Sequence, residues 1–197
     1  MYRSVRFAVT VATLCLSLFV SACSGSGGAQ PASRADLASL KAAANAPPPL
    51  QPGEKINLIV YGEPTLSGEY RVDPSGFVSL PVIGTMKAAG LTPQGLGDKL
   101  VAALRAKFIK DPGVTVEVVE FRPFYILGEV DKPGAYPYIG GLNVLSALAI
   151  AGGRTFRANQ TTVLIQHVGE TVMHEYDADG SLPILPGDII QVPRRYI

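Results

Sequence analysis

The chain has 197 residues, of which 47% are hydrophobic and 17% are charged, and its formal net charge is +1. This length allows one or two small domains with apolar cores, while the near-zero charge and the lack of a basic run give no electrostatic basis for nucleic-acid binding. The 21 glycines and 16 prolines are spread along the chain and predict many turns between short strands.

The N-terminal segment has the layout of a secretory signal peptide. Two arginines precede an uncharged run at residues 7–20, which is shorter than the ~20 residues of a membrane span. The tetrapeptide VSAC at residues 20–23 resembles the lipobox of bacterial lipoproteins. That resemblance implies cleavage between Ala22 and Cys23 and attachment of lipid to the Cys23 thiol.

The cysteine content agrees with an exported chain that has no disulfide. Cys15 lies within the apolar run, so removal of the leader leaves Cys23 as the single cysteine. Ser24 follows it, and by resemblance to enterobacterial lipoproteins this favours sorting to the outer membrane. Residues 23–48 are rich in Gly, Ser, Ala and Pro and predict a flexible tether, with room for a short helix around residues 36–44.

Residues 49–121 predict a first folded unit. Strands are expected at 56–61, 69–72, 77–80 and 114–121, and Asp73-Pro74-Ser75-Gly76 is typical of a tight turn. Thr92 is suited to cap a helix that ends before Asp111-Pro112. The apolar face of that helix comprises Leu96, Leu100, Val101, Leu104 and Phe108.

Residues 122–197 predict a second unit in which short strands surround one small buried helix, the outline of a β-grasp. The strands are expected at 124–130, 135–138, 161–168, 171–176 and 189–193. Asn143 is suited to cap a helix over 144–151, and Gly152-Gly153 is expected to end it rather than to contact a phosphate. The predicted fold class is therefore α+β: a small β-rich domain with one amphipathic helix, followed by a β-grasp domain.

One phrase occurs in both units. LQPGEKINLIV at 50–60 and ILPGDIIQVP at 184–193 each place Pro-Gly-acid before an aliphatic run. This pattern predicts a repeated turn that leads into a strand, with the acid bonding nearby backbone amides. The residues expected to form turns or element ends in this and similar phrases are Asp73, Gly76, Asp111, Pro112, Gly128, Pro133, Gly134, Gly152, Gly153, Pro186, Gly187 and Asp188.

Few residues suggest a catalytic, metal-binding or ligand-binding role. His167 and His174 are expected on one face of a hairpin, but no third metal ligand is evident, so we predict no metal and no cofactor. Asp73 and Asp188 are interpreted as turn residues rather than as a catalytic pair. Tyr136 and Tyr138 alternate onto one face and offer rings and hydroxyls to a sugar, so we consider a glycan contact there.

The two units together resemble the outer-membrane polysaccharide export lipoprotein family. The phrases INLIVYGEPTLSGEYRVDPSGFVSLPVIGTMKAAGLT and FIKDPGVTVEVV in the first unit, and YILGEVDKPGAYPY, NVLSALAIAGG and LPGDIIQVP in the second, carry the resemblance. It implies a polysaccharide export domain at 49–121 and a soluble-ligand-binding β-grasp (SLBB) domain at 122–197. It also implies a non-enzymatic component of capsule or exopolysaccharide export.

The resemblance implies partners as well. Members form homo-oligomeric rings around a periplasmic passage for polysaccharide and dock on an inner-membrane copolymerase. The best-known members add further β-grasp repeats and a C-terminal helix that crosses the outer membrane, whereas no such helix is expected after Val192 here. We therefore expect a separate outer-membrane β-barrel to supply the pore. The alternatives are a stand-alone, lipid-tethered periplasmic glycan-binding module and, with no catalytic residues to name, a lipid-anchored hydrolase or lyase.

Overall fold

The computed structural model describes residues 29–107 and 109–195. Three predicted features lie outside the described residues: the signal peptide, the cleavage site at Ala22 and the lipidation site at Cys23. Phe108 of the predicted helix face lies outside them as well. The predicted α+β class is confirmed, and the described residues form three helices and several short strands.

The described elements include predicted strands and helices of both units and two short strands, at 30–31 and 84–87, that the sequence does not predict. In chain order they are β1 (Gln30–Pro31), α1 (Arg34–Asn45), β2 (Lys55–Val60), β3 (Gly68–Arg71), β4 (Phe77–Leu80), β5 (Gly84–Lys87), α2 (Pro93–Lys107), β6 (Val114–Glu120), β7 (Phe124–Gly128), β8 (Gly134–Tyr136), α3 (Val144–Ile150), β9 (Thr162–Gln166), β10 (His174–Asp177) and β11 (Ile189–Val192).

The first unit packs α2 against an antiparallel sheet of order β3-β2-β6, and a separate β4–β5 hairpin completes it. Alternate residues of β2 are buried, as a half-buried strand requires. They meet one face of α2 and side chains from the turns. The buried core consists of Leu50, Ile56, Leu58, Val60, Leu66, Val72, Val78, Leu80, Ala88, Leu96, Leu100 and Leu104.

The second unit is a six-stranded mixed sheet of order β1-β10-β9-β11-β7-β8. Strand β11 is parallel to β7 and antiparallel to β9, and α3 contributes Val144, Ala147 and Leu148 to the core. The Asn143 side chain accepts the Ser146 N–H at 2.8 Å and caps α3, as predicted. This sheet folded over one short helix is the predicted β-grasp outline.

The segment predicted as a tether differs from the prediction where the structure describes it. Strand β1 pairs in parallel with β10, and Ser33 and Asp36 form a capping box that starts α1. Leu40 on α1 is 4% exposed and belongs to the core of the second unit. Residues 30–45 therefore pack on the second unit, although the first unit separates them from it in the sequence. Composition alone could not predict this, since the docking depends on a few apolar side chains in an Ala-rich stretch.

We expect Leu40→Ala to release this segment. Loss of a buried leucine side chain destabilises by about 2–5 kcal/mol, and the few contacts of α1 confine the effect to residues 30–45. Amide hydrogen exchange of that segment should accelerate while α3 stays protected. Lys41→Ala, at the neighbouring exposed position, is the control and should leave exchange unchanged.

Candidate functional site

The two Pro-Gly-acid phrases lie on either side of the junction between the units, and both line one cavity of about 320 Å³. Pro47, Pro48 and Pro49 form part of its wall, and Arg122, the first residue of the predicted second domain, also lines it. We call Glu54, Arg122, His167, Tyr176 and Asp188 the junction cluster.

Both acids of the repeated phrase close their own turns. The Glu54 carboxylate accepts the Gln51 N–H at 3.0 Å, and the Asp188 carboxylate accepts the Leu185 N–H at 2.8 Å. In each case the acceptor lies three residues after the donor. Both carboxylates are nearly inaccessible to solvent, at 2% and 0% exposure. The phrase thus forms the same hydrogen-bonded turn twice, which is the structural role that its sequence predicts.

Asp188 has a further partner that Glu54 lacks. Its Oδ1 lies 3.0 Å from Nδ1 of His167, and Nε2 of His167 lies 3.1 Å from the Tyr176 hydroxyl. Asp188, His167 and Tyr176 therefore form a continuous polar chain across the sheet of the second unit. A chain with every member partnered fixes the geometry of a buried polar site.

Arg122 lies between the Asp188 turn of the second unit and Glu54 of the first unit. Burial raises the pKa of the Glu54 carboxyl, and the hydrogen bond from the Gln51 N–H, the positive charge of Arg122 and the Arg122 backbone offset this only in part. The Nε and Nη2 atoms of Arg122 are buried and have no hydrogen-bond partner within the described part of the chain. The guanidinium packs directly on Gly187, where a Cβ would stand 2.6 Å from Nη2. Gly187 also has φ +88°, a conformation that favours glycine.

His167 is the titratable group of the cluster near neutral pH. Burial alone would lower its pKa, but the hydrogen bond and the charge of Asp188, with help from Glu170, more than offset this and raise the pKa above the usual 6.5. A raised folded-state pKa contributes stability that is fully present below pH 6.5. That contribution is lost as the pH rises through the folded-state value.

We therefore expect the melting temperature of the wild type to fall as the pH rises above 6.5 through the raised pKa of His167, and His167→Gln to flatten this slope. Thermal unfolding at several pH values measures it. His174→Gln leaves the Asp188–His167 pair intact and should keep the slope. An equally steep slope in His167→Gln would contradict the assignment.

His167 and His174 both line one cavity of about 250 Å³ and both lie beside the Tyr176 ring, but each pairs with a different acid. His174 lies opposite Ile165, as the predicted register requires, but strand pairing ends there and His167 turns toward Asp188. His174 instead lies 3.3 Å from Glu170. No group of three or more potential metal ligands occurs within residues 29–107 and 109–195.

The side chains of Tyr136 and Tyr138 are half-buried, whereas a ring that stacks on a sugar exposes one face to solvent. The Tyr136 hydroxyl donates to the Lys132 carbonyl at 2.6 Å, and its ring stacks on Phe124 at 5.9 Å. The Tyr138 ring meets Phe121 edge to face, and burial, with the nearby Asp188 charge, raises the pKa of Tyr138. Both tyrosines pack partly against the core of the second unit, so the glycan contact stays a prediction.

The remaining predicted turn residues are scattered around the molecule. The Asp73 carboxylate accepts the Phe77 N–H at 2.9 Å, a local bond within its own turn. Asp111 is exposed and pairs with Arg105 at 3.2 Å, and Pro112 beside it is buried. Gly128 ends β7 and Gly134 begins β8, directly after Pro133.

The end of α3 depends on its two glycines. The Gly152 N–H donates to the Ala149 carbonyl and the Gly153 N–H to the Leu148 carbonyl, at 3.1 and 2.8 Å. These bonds satisfy carbonyls that the helix end would leave free, which is the helix-ending role that the sequence predicts.

Sequence reasoning missed the junction cluster as a unit. Glu54 and Asp188 were visible as the acids of a repeated phrase, but nothing in the pattern identified Arg122 or joined His167 to Asp188. Of the three helices in the described part of the chain, none has the combination of length and apolar character that a membrane crossing requires.

Two family models match the chain in consecutive segments. The model described as polysaccharide biosynthesis/export protein matches residues 42–119, and the SLBB domain model matches residues 123–175. The gap between the two matches, residues 120–122, contains Arg122 of the junction cluster.

Relatives in three organisms agree with these matches. Exopolysaccharide production protein ExoF of Rhizobium meliloti (strain 1021) is 40% identical over 90 residues, 45% of this chain and 21% of the relative. Polysialic acid transport protein KpsD of Escherichia coli is 29% identical over 106 residues, which are 53% of this chain and 19% of the relative. EPS I polysaccharide export outer membrane protein EpsA of Ralstonia solanacearum is 30% identical over 145 residues, with 68% of this chain and 38% of the relative covered. The chain thus spans from about a fifth to two fifths of these relatives' lengths, and from the two models matched in order it belongs to the polysaccharide export protein family.

Proposed function

We propose that this protein is a lipid-anchored, periplasmic component of a capsular polysaccharide or exopolysaccharide export system. The observation that carries the proposal is the consecutive match of the export model and the SLBB model over residues 42–119 and 123–175. The names of the relatives, which concern polysaccharide production, transport and export, support it. In this proposal the protein guides a polymer and performs no catalysis.

The protein acts as one subunit of a homo-oligomeric ring. The ring connects an inner-membrane copolymerase to the outer membrane, where a separate β-barrel completes the path. A conduit needs subunits whose two domains keep a fixed relation, and the buried junction cluster supports this part of the proposal. Glu54 from the first unit and Asp188 from the second are both inaccessible to solvent, and Arg122 lies at the same cavity.

The lipid on Cys23 holds the second unit close to the outer membrane. Six residues lie between Cys23 and Gln30 of β1, and the seven residue steps between these two span at most about 25 Å when fully extended. The docking of β1 and α1 on the second unit supports an arrangement in which the SLBB domain lies nearer the membrane than the export domain does. A free 26-residue tether would have allowed either domain to approach.

The oligomeric state tests the conduit. Native mass spectrometry of the intact lipoprotein in detergent, with and without the copolymerase, should show a closed ring of several subunits. A monomer under both conditions would instead fit the stand-alone glycan-binding module. Cys23→Ser should abolish membrane association while keeping the folded domains, and persistent outer-membrane association of that variant would refute the anchor.

A further inference from the structure

Four of the ten arginines lie together at one end of the second unit. Arg154 and Arg157 belong to the loop between α3 and β9, and Arg194 and Arg195 follow β11. The two segments pair through a bridge between Ala158 and Arg194. The Arg195 N–H also donates to the Arg157 carbonyl at 2.8 Å. We call Arg154, Arg157, Arg194 and Arg195 the arginine patch.

The chain does not neutralise this patch by ion pairing. Arg71 and Arg105 in the first unit each pair with a carboxylate at 3.1–3.2 Å, whereas no described carboxylate lies within ion-pair distance of the four arginines. Among the acids on neighbouring segments, the Glu129 carboxylate accepts the Thr155 hydroxyl at 2.6 Å.

Two further acids lie at this end of the sheet. Asp131 packs on Gly152 at the end of α3, and Asp177 ends β10, two strands away from β11. The four guanidinium groups outnumber these three acids. Concentrated positive charge of this kind attracts a polyanion.

The Arg154 side chain makes one hydrogen bond, and other donor atoms of its guanidinium group have no partner within the described residues. Its Nη1 donates to the Gln160 carbonyl at 3.3 Å, while Nε and Nη2 are buried and have no partner within the described residues. Burial lowers the pKa of Arg154, since the charged form is partly desolvated. A desolvated cation without a counter-charge is unfavourable, and negative charge placed beside the patch relieves this.

An exposed aromatic ring completes the surface. Phe156 is 77% exposed and lies between Arg154 and Arg157 in the sequence. The Arg157 guanidinium carbon is 5.1 Å from the centre of its ring, a cation–π distance. One face of the ring can thus be covered by the cation, while the exposed remainder offers an apolar surface to the C–H face of a sugar.

We infer that the arginine patch binds a polysaccharide that carries carboxylates, such as a polymer of uronic acids. Guanidinium groups suit carboxylates because their donors match the two oxygens, and Phe156 adds contact with the sugar ring. This inference rests on the proposed export function and defines its substrate class as an acidic polymer.

The topology favours a glycan over an anionic lipid surface as the occupant. The anchor segment enters at Gln30, opposite His174, whereas the patch lies near Thr162, which pairs with Asp177 at the other end of β10. The patch and the entry point of the anchor segment therefore lie at opposite ends of β10.

Calorimetry with the intact lipoprotein in detergent tests this. Oligogalacturonate should bind, more weakly as salt increases, and maltooligosaccharide of equal length should bind at least about tenfold more weakly. Arg157→Gln with Arg194→Gln should reduce oligogalacturonate affinity about tenfold, and Phe156→Ala should reduce it severalfold. The charge-matched control, Arg34→Gln with Arg105→Gln, should bind as wild type.

Four results would overturn the inference. Two concern oligogalacturonate itself: equal affinity for the neutral oligosaccharide, or equal losses of affinity in the patch and control variants. The other two concern different ligands: inorganic sulfate that binds as tightly as oligogalacturonate, or patch-dependent binding to phosphatidylglycerol vesicles that exceeds binding to oligogalacturonate. None of these results bears on ring formation. A monomeric protein that binds oligogalacturonate through the patch would instead refute the conduit and leave the acidic-glycan site intact.

Discussion

Replacing Gly128 by alanine should prevent stable folding of the second unit. Gly128 ends β7 beside Val192 of β11 and has φ +91°. A Cβ there would overlap the Val192 carbonyl oxygen, which belongs to the backbone and cannot rotate away. The left-handed conformation also penalises any L side chain by roughly 1–2 kcal/mol.

The combined effect should exceed about 3 kcal/mol, a large fraction of a small domain's stability. Chemical denaturation with far-ultraviolet circular dichroism measures it. Gly134→Ala, at the start of β8, is the matched control, because a Cβ there meets nothing within 4 Å. If the two variants were equally stable, the close approach of β7 and β11 would be wrong.

Asp188→Ala should destabilise the protein by about 2–4 kcal/mol, because it removes the acceptor of two buried donors at once. The Leu185 N–H would lose its partner, and His167 would keep only its contact with the Tyr176 hydroxyl. Since the same residue closes the turn and orients His167 toward Tyr176, the loss should also loosen the junction.

The asparagine variant separates the two roles of Asp188. Asp188→Asn keeps a carbonyl oxygen for the Leu185 N–H but removes the negative charge, so it should be more stable than Asp188→Ala and should lower the pKa of His167. Histidine titration by nuclear magnetic resonance measures that shift. As a control, Asp111→Ala removes only an exposed ion pair with Arg105, and its effect should stay below about 1 kcal/mol. An Asp188→Ala variant as stable as Asp111→Ala would contradict the buried role.

Local signals in the sequence are sufficient to predict most strands and helices of both units. Alternating apolar residues identify β2, and Asn143 and Gly152 delimit α3. Strand β5 was not predicted, because GTMK is mostly exposed and shows no alternation. It is fixed by pairing with β4, from Phe77 opposite Lys87 to Leu80 opposite Gly84, and such pairing is a tertiary property.

The predicted hairpin was too long for the same reason. Strands were expected at 161–168 and 171–176, but β9 ends at Gln166 and β10 begins at His174. His167 leaves the ladder since its ring bonds Asp188, which is 21 residues away. No local propensity contains that contact.

The candidate site was predictable only in part. The repeated Pro-Gly-acid phrase predicted two similar turns, and both form with the expected backbone bonds. Their convergence at one cavity with Arg122 depends on how the units pack, and the docking of α1 depends on a few apolar side chains, of which Leu40 is the most buried. Neither follows from periodicity or composition.

The export claim is tested most directly by the location of the polymer in cells that lack this protein. Newly made polysaccharide should be labelled and its amounts in the periplasm and in the medium compared between wild type, an in-frame deletion and a complemented strain. The proposal predicts that polymer outside the cell falls at least about tenfold in the deletion and returns on complementation. Unchanged polymer outside the deletion strain would contradict it.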